Sequence, residues 1–451
     1  MQSQSWKTFG SAFLLQIGKR KDRIKSCIKY AKDMEMDSNK NKQSTETGQL
    51  LSAALDLGEQ MLICGGEVNR VEDTICRLCK AYGAKKVDVF SITTCIIATA
   101  DFGEQGVVTQ TRRILESKFD MTVLSELNDL SRRACAFRMA PARLRDELQK
   151  AKEVPHYSFW GIIGCWALIS AAFSVFFGGS MLDGIISAMI GVVLCIVQAA
   201  LNRVQVNKYL AVVLCSLLGG LLSNLVFAAN FPVHPAMINI GNIMLLIPGI
   251  GLTSAIRDVF SGDTMSGLLR SSEAIVLSIA IAWGFAATAS PELDVPPTIL
   301  WVGILTAGLG ALGYSLWFNV RGKRLVFCAL VGMLGWSIVI AIEAIGLADF
   351  WGYYFGAIAV ALFAQILART LKCPATVFIV TAAMPLIPGG SLYATMRYAI
   401  AKDWSNFTAY GLRTLGYAIL ISAGILTVMT IVHIIEILLN RKNGRRLDSN
   451  G

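Results

Sequence analysis

The sequence predicts an all-α polytopic membrane protein of about ten transmembrane helices, arranged as a five-plus-five inverted-topology repeat behind a small N-terminal cytoplasmic α+β domain. Three observations predict it. Of 451 residues, 54% are apolar and only 16% charged, where soluble domains are usually about one-quarter charged. The charge lies mostly before Pro155, and from Phe159 onward apolar stretches follow one another with short polar breaks. Finally, Leu246-Ile-Pro-Gly249 returns as Leu386-Ile-Pro-Gly389, 140 positions later. The same composition excludes a disordered chain, a collagen-like fibre and a small disulfide scaffold.

The N-terminal arm and linker cover 1–47. Lys19, Arg20, Lys21, Arg23 and Lys25 follow a weakly apolar run, the order opposite to that of a cleavable signal peptide. The arm suits either a basic amphipathic helix on the inner leaflet or a solvated segment. Residues 32–48 have almost no large apolar side chains and read as a linker. The net charge of +10 fits a membrane surface better than nucleic acid, because the basic residues sit in this arm and between the apolar stretches.

The domain at 48–155 opens on a helical stripe of Leu50, Leu51, Ala54, Leu57, Met61 and Leu62. Gly65 and Gly66 end it. A second helix is expected from Glu67 to Tyr82, and strands over 87–90, 93–99 and 106–112 from their β-branched content. Helices resume over 124–133 and 141–152. Glu67, Arg70, Glu72 and Asp73 crowd the start of the second helix, where acids are favoured by the helix dipole alone. With no His before residue 156 and no phosphate-binding G-x-x-x-x-G-K-[ST] loop, the domain reads as regulatory rather than catalytic. Cys76 and Cys79 form a C-x-x-C without the second pair or nearby His of a zinc site, so neither a metal nor a cofactor is expected.

A bilayer core takes about 20 apolar residues per helix. Candidate spans cover about 158–177, 181–201, 209–229, 236–256, 273–289, 297–317, 325–345, 351–368, 375–392 and 410–438. They divide into repeats at 156–292 and 293–440, with a basic cytoplasmic tail at 441–451. With the N-terminal domain inside, the inner connections carry Arg203, Lys208, Arg257, Arg270, Arg321, Lys323, Arg324, Arg369 and Lys372. The outer connections carry no Lys or Arg except Arg397 and Lys402. This is the positive-inside pattern, with both termini cytoplasmic.

The repeat accounts for the exception. At the same offset Leu252 matches Leu392, Arg257 matches Arg397, Asp263 matches Asp403 and Gly284 matches Gly424. Five spans per half is an odd number, so the second half enters inverted and Arg397 faces outward as the mirror of Arg257. Inverted repeats with interrupted helices are a pattern of secondary transporters. Pro248 and Pro388 each remove a backbone donor, and Gly249, Gly389 and Gly390 allow unwinding. Freed amides and carbonyls there suit a small substrate. A kink used for packing is the plainer alternative. Asn239 and Asn242 suit either substrate contact or helix glue, and the Thr381 hydroxyl suits substrate or its own helix. Arg257 and Arg397 are gate or anion-capture candidates. Glu343 is an acid near the outer end of a span and a proton-coupling candidate.

Gly65-Gly-Glu67-Val-Asn-Arg70-Val-Glu72-Asp73-Thr, then Tyr82-Gly83-Ala and Val87-Asp-Val-Phe90, resembles the opening domain of the threonine/serine exporter family, and the paired Ile-Pro-Gly motifs resemble its membrane halves. The resemblance covers about 48–438. Gly66 stands where the family pattern has Ala. The resemblance implies a cytoplasmic N-terminal domain, ten spans and efflux of small hydroxy amino acids. With no nucleotide-binding motif to suggest direct use of ATP, the expectation is a non-enzymatic exporter of the inner (plasma) membrane, an antiporter driven by protons, with a homo-oligomer left open. Related chains that split the halves resemble dicarboxylate (succinate-like) exporters, the first alternative. A membrane-anchored hydrolase is the alternative of another class. Single-cysteine labelling is expected to place 295 on one side of the membrane and 100, 322 and 445 on the other. Finding 295 and 322 on the same side would remove the ten-span inverted topology.

Overall fold

A computed structural model describes residues 46–247, 249–286 and 299–448, with backbone alone at 249, 250, 286, 436 and 439–448. The basic arm, Pro248 and the expected outer connection at 290–296 lie outside the described residues.

The N-terminal domain comprises α1 (46–63), α2 (Val68–Ala81), β1 (Lys86–Ile92), β2 (Cys95–Asp101), β3 (Val107–Arg113), α3 (Met121–Phe137) and α4 (Pro141–Lys152). The strands pair antiparallel in the order β1-β2-β3. Thr93 and Thr94, expected inside a strand, are the two-residue turn of the first hairpin, since Ile92 pairs with Cys95. Alternation does the rest. Ile96, Ala98 and Ala100 of β2 are fully buried, alongside Leu51, Leu55, Val71, Ile75, Leu78 and Leu127 from the helices. Phe90 and Ile97, paired across the other face, remain exposed. Arg112 of β3 reaches back to Asp56 of α1 at 2.9 Å, tying sheet to helix.

The membrane part comprises α5 (Phe159–Phe176), α6 (Met181–Arg203), α7 (Lys208–Ala228), α8 (Pro235–Ile243), α9 (Gly249–Phe260) and α10 (Thr264–Ala286). It continues with α11 (Leu300–Trp317), α12 (Lys323–Ala344), α13 (Asp349–Thr370), α14 (Thr376–Ala382), α15 (Gly389–Ile400) and α16 (Trp404–Asp448). Among the described residues, eight helices are long and apolar enough to cross a membrane, and the pair joined at Met384, bent by 41°, makes a ninth. α8 and α9 flank residue 248, so the fourth expected span is likewise two short helices.

Helix ends extend beyond the apolar stretches that revealed them. α10 starts nine residues before the expected 273, and α16 six before 410. Arg257, Arg270 and Arg397 therefore ride on helices rather than in loops. Polar residues near a helix end break the apolar pattern without stopping the helix, which is why hydropathy misplaces these boundaries.

Packing follows a recurring scheme. α5 lies on α6 and α11 on α12; α10 lies on α7 and α9, and α16 on α13 and α15. α5 and α11 join the halves. Glycine permits the closest approaches. A Cβ at Gly424 would fall 2.6 Å from the Tyr354 carbonyl oxygen and 2.9 Å from Ala357 Cβ. One at Gly284 would fall 2.6 Å from the Val213 carbonyl oxygen on α7.

The N-terminal domain docks on two turns at one end of this bundle. Asp120 caps α3 and also accepts from Asn319 Nδ2 at 3.1 Å and pairs with His156 at 2.8 Å. Met121 N donates to the Phe318 carbonyl, and Tyr157 to that of Val320. Arg132 reaches the Lys372 carbonyl. The turns after α11 and α13, two of the connections that carry Lys and Arg, thus share the N-terminal domain's end. At the other end Asp183, in the capping box of α6, takes the backbone amide of His234 at 2.7 Å, joining the turns before α6 and α8.

Gly424→Ala should force α16 off α13, costing about 1–3 kcal/mol as overpacking. A lowered melting temperature of the purified protein would register it; unchanged melting would show that the interface yields freely.

Candidate functional site

The two breaks have different local chemistry but meet. In the first, α8 ends at Ile243 and a turn carries Leu246 N to the Ile243 carbonyl at 2.7 Å. The Met244 carbonyl accepts from the hydroxyl of Tyr314 on α11. In the second, α14 ends at Ala382, a tight turn over Met384–Leu386 follows, and Ile387 is extended at ψ 130°. Pro388 then caps α15 without a side-chain hydrogen bond. Gly389 lies against Met244: an added Cβ would come within 3.4 Å of the Met244 Cε and 3.7 Å of the Ile247 Cδ1. At Gly390 an added Cβ would lie 3.0 Å from the Phe177 ring. Gly389 and Gly390 therefore serve close approach between halves.

The other expected residues divide. Asn239 and Asn242 are 1% exposed on α8. Asn239 accepts from Ser223 of α7 at 2.7 Å, while Asn242 accepts from Ser170 of α5 and donates to the Ile238 carbonyl. Ser170 also meets Ser187 of α6 at 2.9 Å. These amides bind α8 to its own half. Thr381 donates to Val377, one turn back on its own helix. Pro248 lies outside the described residues, and Gly249 opens α9. Glu343 is exposed at the end of α12, away from both breaks. Arg397 is half-buried on α15, and its buried Nη1 has no hydrogen-bond partner among the described residues.

Arg257 is placed differently. Its Nη1 stands 3.1 Å from Oε1 of Glu67, and the same oxygen accepts from the Thr376 hydroxyl at 3.0 Å. Glu67 precedes α2, Arg257 belongs to α9 and Thr376 opens α14. One carboxylate of the N-terminal domain therefore bridges both broken-helix pairs. Asp258 and Arg270 continue the network, their carboxylate and guanidinium 3.2 Å apart. Burial opposes ionisation of Glu67, but Arg257, Arg70, the Thr376 hydroxyl and Arg270 outweigh it and hold the carboxyl below the usual range. Sequence reasoning missed Thr376, Asp258 and Arg270. Asp258, beside Arg257, was legible as a second acid at a span's end; Thr376 gains meaning only from a contact 309 residues away in sequence, and Arg270 only through Asp258, which joins it to that contact.

The acidic crowd at α2 is committed to structure. Glu72 accepts from the amide of Ser91 at 2.6 Å and its hydroxyl at 3.0 Å, tying α2 to β1, and Asp73 pairs with Arg77. Burial pushes the Cys79 thiol up to about 12, which leaves it protonated and a poor nucleophile or ligand.

Interrupted helices meeting inside a helical bundle, with a docked α+β domain, define a polytopic membrane protein built around a central discontinuity. Comparison with known proteins gives the family. A family model described as "Putative threonine/serine exporter" matches residues 52–290, and one described as "Threonine/Serine exporter, ThrE" matches 303–431. The chain belongs to the threonine/serine exporter family, and is a multi-pass membrane protein. It is 22% identical over 379 residues to a "Probable threonine/serine exporter" of Mycobacterium tuberculosis (strain ATCC 25618 / H37Rv), covering 78% of this chain and 71% of that one. It is 24% identical over 259 residues to the "Probable succinate transporter subunit YjjP" of Klebsiella aerogenes, covering 55% of this chain and 95% of that subunit. No solved structure matches.

The Glu67 contact has a defined pH response. A carboxyl held below its ordinary value of 4.5 contributes docking energy that is complete above that value and lost as pH falls through the lowered one. Acidifying from about pH 7 to about pH 5 should leave the backbone amides of 65–72 as protected from hydrogen exchange as before. Release within that window would show that Glu67 titrates higher than its cationic surroundings dictate.

Proposed function

We propose that the protein exports threonine, serine or a related small metabolite from the cytoplasm across the inner (plasma) membrane, as a secondary transporter with a central site between two inverted five-helix repeats. The supporting observation is the coincidence of the breaks. α9 and α15 begin at Gly249 and Gly389, 140 positions apart, and so do α10 and α16 at Thr264 and Trp404. The mirrored packing of α10 on α7 and α16 on α13, each through a glycine at the same offset, supports the same reading.

In this reading Gly249, Pro388, Gly389 and Gly390 lie at the substrate, and Pro248 with them. The Gly389 amide is taken by the Ile387 carbonyl, but the next amides of α15 lack a side-chain cap and suit a carboxylate. Asn239, Asn242 and Thr381 hold the short helices in position beside it. Arg257 and Arg397 guard the two ends as gates. The protein is not an enzyme, and proton-motive force drives it as an antiporter: the sequence has no nucleotide-binding motif, and Glu343, at the end opposite the N-terminal domain, is the acid available for coupling. A dicarboxylate substrate is the second reading, favoured by the succinate-transporter relative and by the two arginines.

Proteoliposomes preloaded with labelled threonine, serine and succinate test both readings. Threonine or serine efflux that accelerates with an inward proton gradient is expected; succinate alone would select the second. Replacing Pro388 and Gly389 by Ala-Ala should favour a continuous helix, close the freed backbone on itself and cut efflux at least about tenfold. Wild-type efflux in that variant would show that the break serves packing.

A further inference from the structure

The odd feature of Glu67 is where its carboxylate goes. It stands at the N-cap of α2, where an acid ordinarily binds the first amides of its own helix, yet it makes no such bond. The side chain leaves its own domain. It follows Gly65, whose φ of +91° is the left-handed conformation that glycine accepts freely. It enters a site built by the membrane helices: Arg257 is 9% exposed, Arg270 18% and Asp258 7%. Without Glu67 that site holds two guanidinium groups against one carboxylate, with the Thr376 hydroxyl directed at the vacated position. A buried excess of positive charge requires an anion.

The other half makes the comparison. Arg397 occupies the position 140 residues after Arg257, and its buried Nη1 meets no acceptor among the described residues. One arginine is filled by an acid from within the chain and its counterpart is not. We infer that Arg257 and the Thr376 hydroxyl form a carboxylate-binding subsite at the N-domain mouth of the transport path, and that Glu67 occupies it as a tethered stand-in for the substrate's own carboxylate.

The inference rests on the exporter reading for its ligand class: a small metabolite with a free carboxylate, amino acid or dicarboxylate. Its consequence is a threshold. Glu67 is held in place by a docked domain, so free substrate displaces it only when it accumulates enough to outcompete a preplaced carboxylate. Displacement frees α9 of one half and α14 of the other from a common clamp, the step that opening this end requires.

The test uses the full chain in nanodiscs, with threonine, serine and succinate as probes and ethanolamine, which lacks the carboxylate, as control. Hydrogen exchange at 65–72 should accelerate with each carboxylate at millimolar concentration and not with ethanolamine. Glu67→Gln should tighten threonine or succinate binding by about tenfold or more. Arg257→Gln in that background should abolish the gain. Thr376→Val, which leaves every charge in place, should weaken carboxylate binding to the Glu67→Gln protein several-fold, a readout that survives if the arginine variant fails to fold. Unchanged exchange together with unchanged affinity in Glu67→Gln would reduce Glu67 to an interdomain bond, even if threonine efflux proceeds. Carboxylate-dependent release in a protein that exports none of the probes would keep the subsite and remove the exporter reading.

Discussion

A helix that stops halfway through a bilayer releases amides and carbonyls into a medium with no water, and each must be met by protein or by a wet cavity. The rest of the membrane part is arranged around that need. The Met244 carbonyl is met by Tyr314 from the other half. The Pro388 carbonyl is met by the amide of Leu392 and the hydroxyl of Ser391, which itself receives Thr414 of α16. Gly389 presses on Met244 because a side chain there would separate the two breaks. The breaks are therefore not independent kinks. The first takes a hydroxyl from the opposite half and the second presses its glycine on the first, so a shift in one half is felt at both.

The same need explains the polar interior of α8. Nine residues give little surface for packing, and Asn239 and Asn242 compensate with hydrogen bonds to Ser223 and Ser170. α14 does without such amides and is almost wholly buried among apolar neighbours instead. The halves share geometry while differing in how they hold their short helices. The surroundings of the two breaks are accordingly asymmetric in chemistry.

The apolar membrane helices and the small N-terminal sheet were legible because each depends on residue type along the chain. The breaks were legible because Pro and Gly mark them. Boundaries such as Thr264 and Trp404 were not, since polar residues hide a helix that continues beyond the bilayer. The direction of a polar side chain was equally hidden: Asn242 before a break reads the same whether it faces a substrate or Ser170. Glu67 is the clearest case. Its motif carries the family resemblance, and its acidic neighbours read as a crowd favoured by the helix dipole. Glu72 is consumed by Ser91 and Glu67 by Arg257 and Thr376, and neither partner could be named from local pattern.

That placement also says why a soluble domain accompanies the bundle. Its contacts fall on the turns after α11 and α13, on the last turn of α9 and on the opening of α14, so it touches both halves at one end. A domain bound to one half alone would ride with that half through any rocking motion. A domain bound to both resists their separation, most directly through the single oxygen of Glu67 that takes Arg257 from one half and Thr376 from the other. Any change that moves Arg257 away from Thr376 therefore has to break that contact.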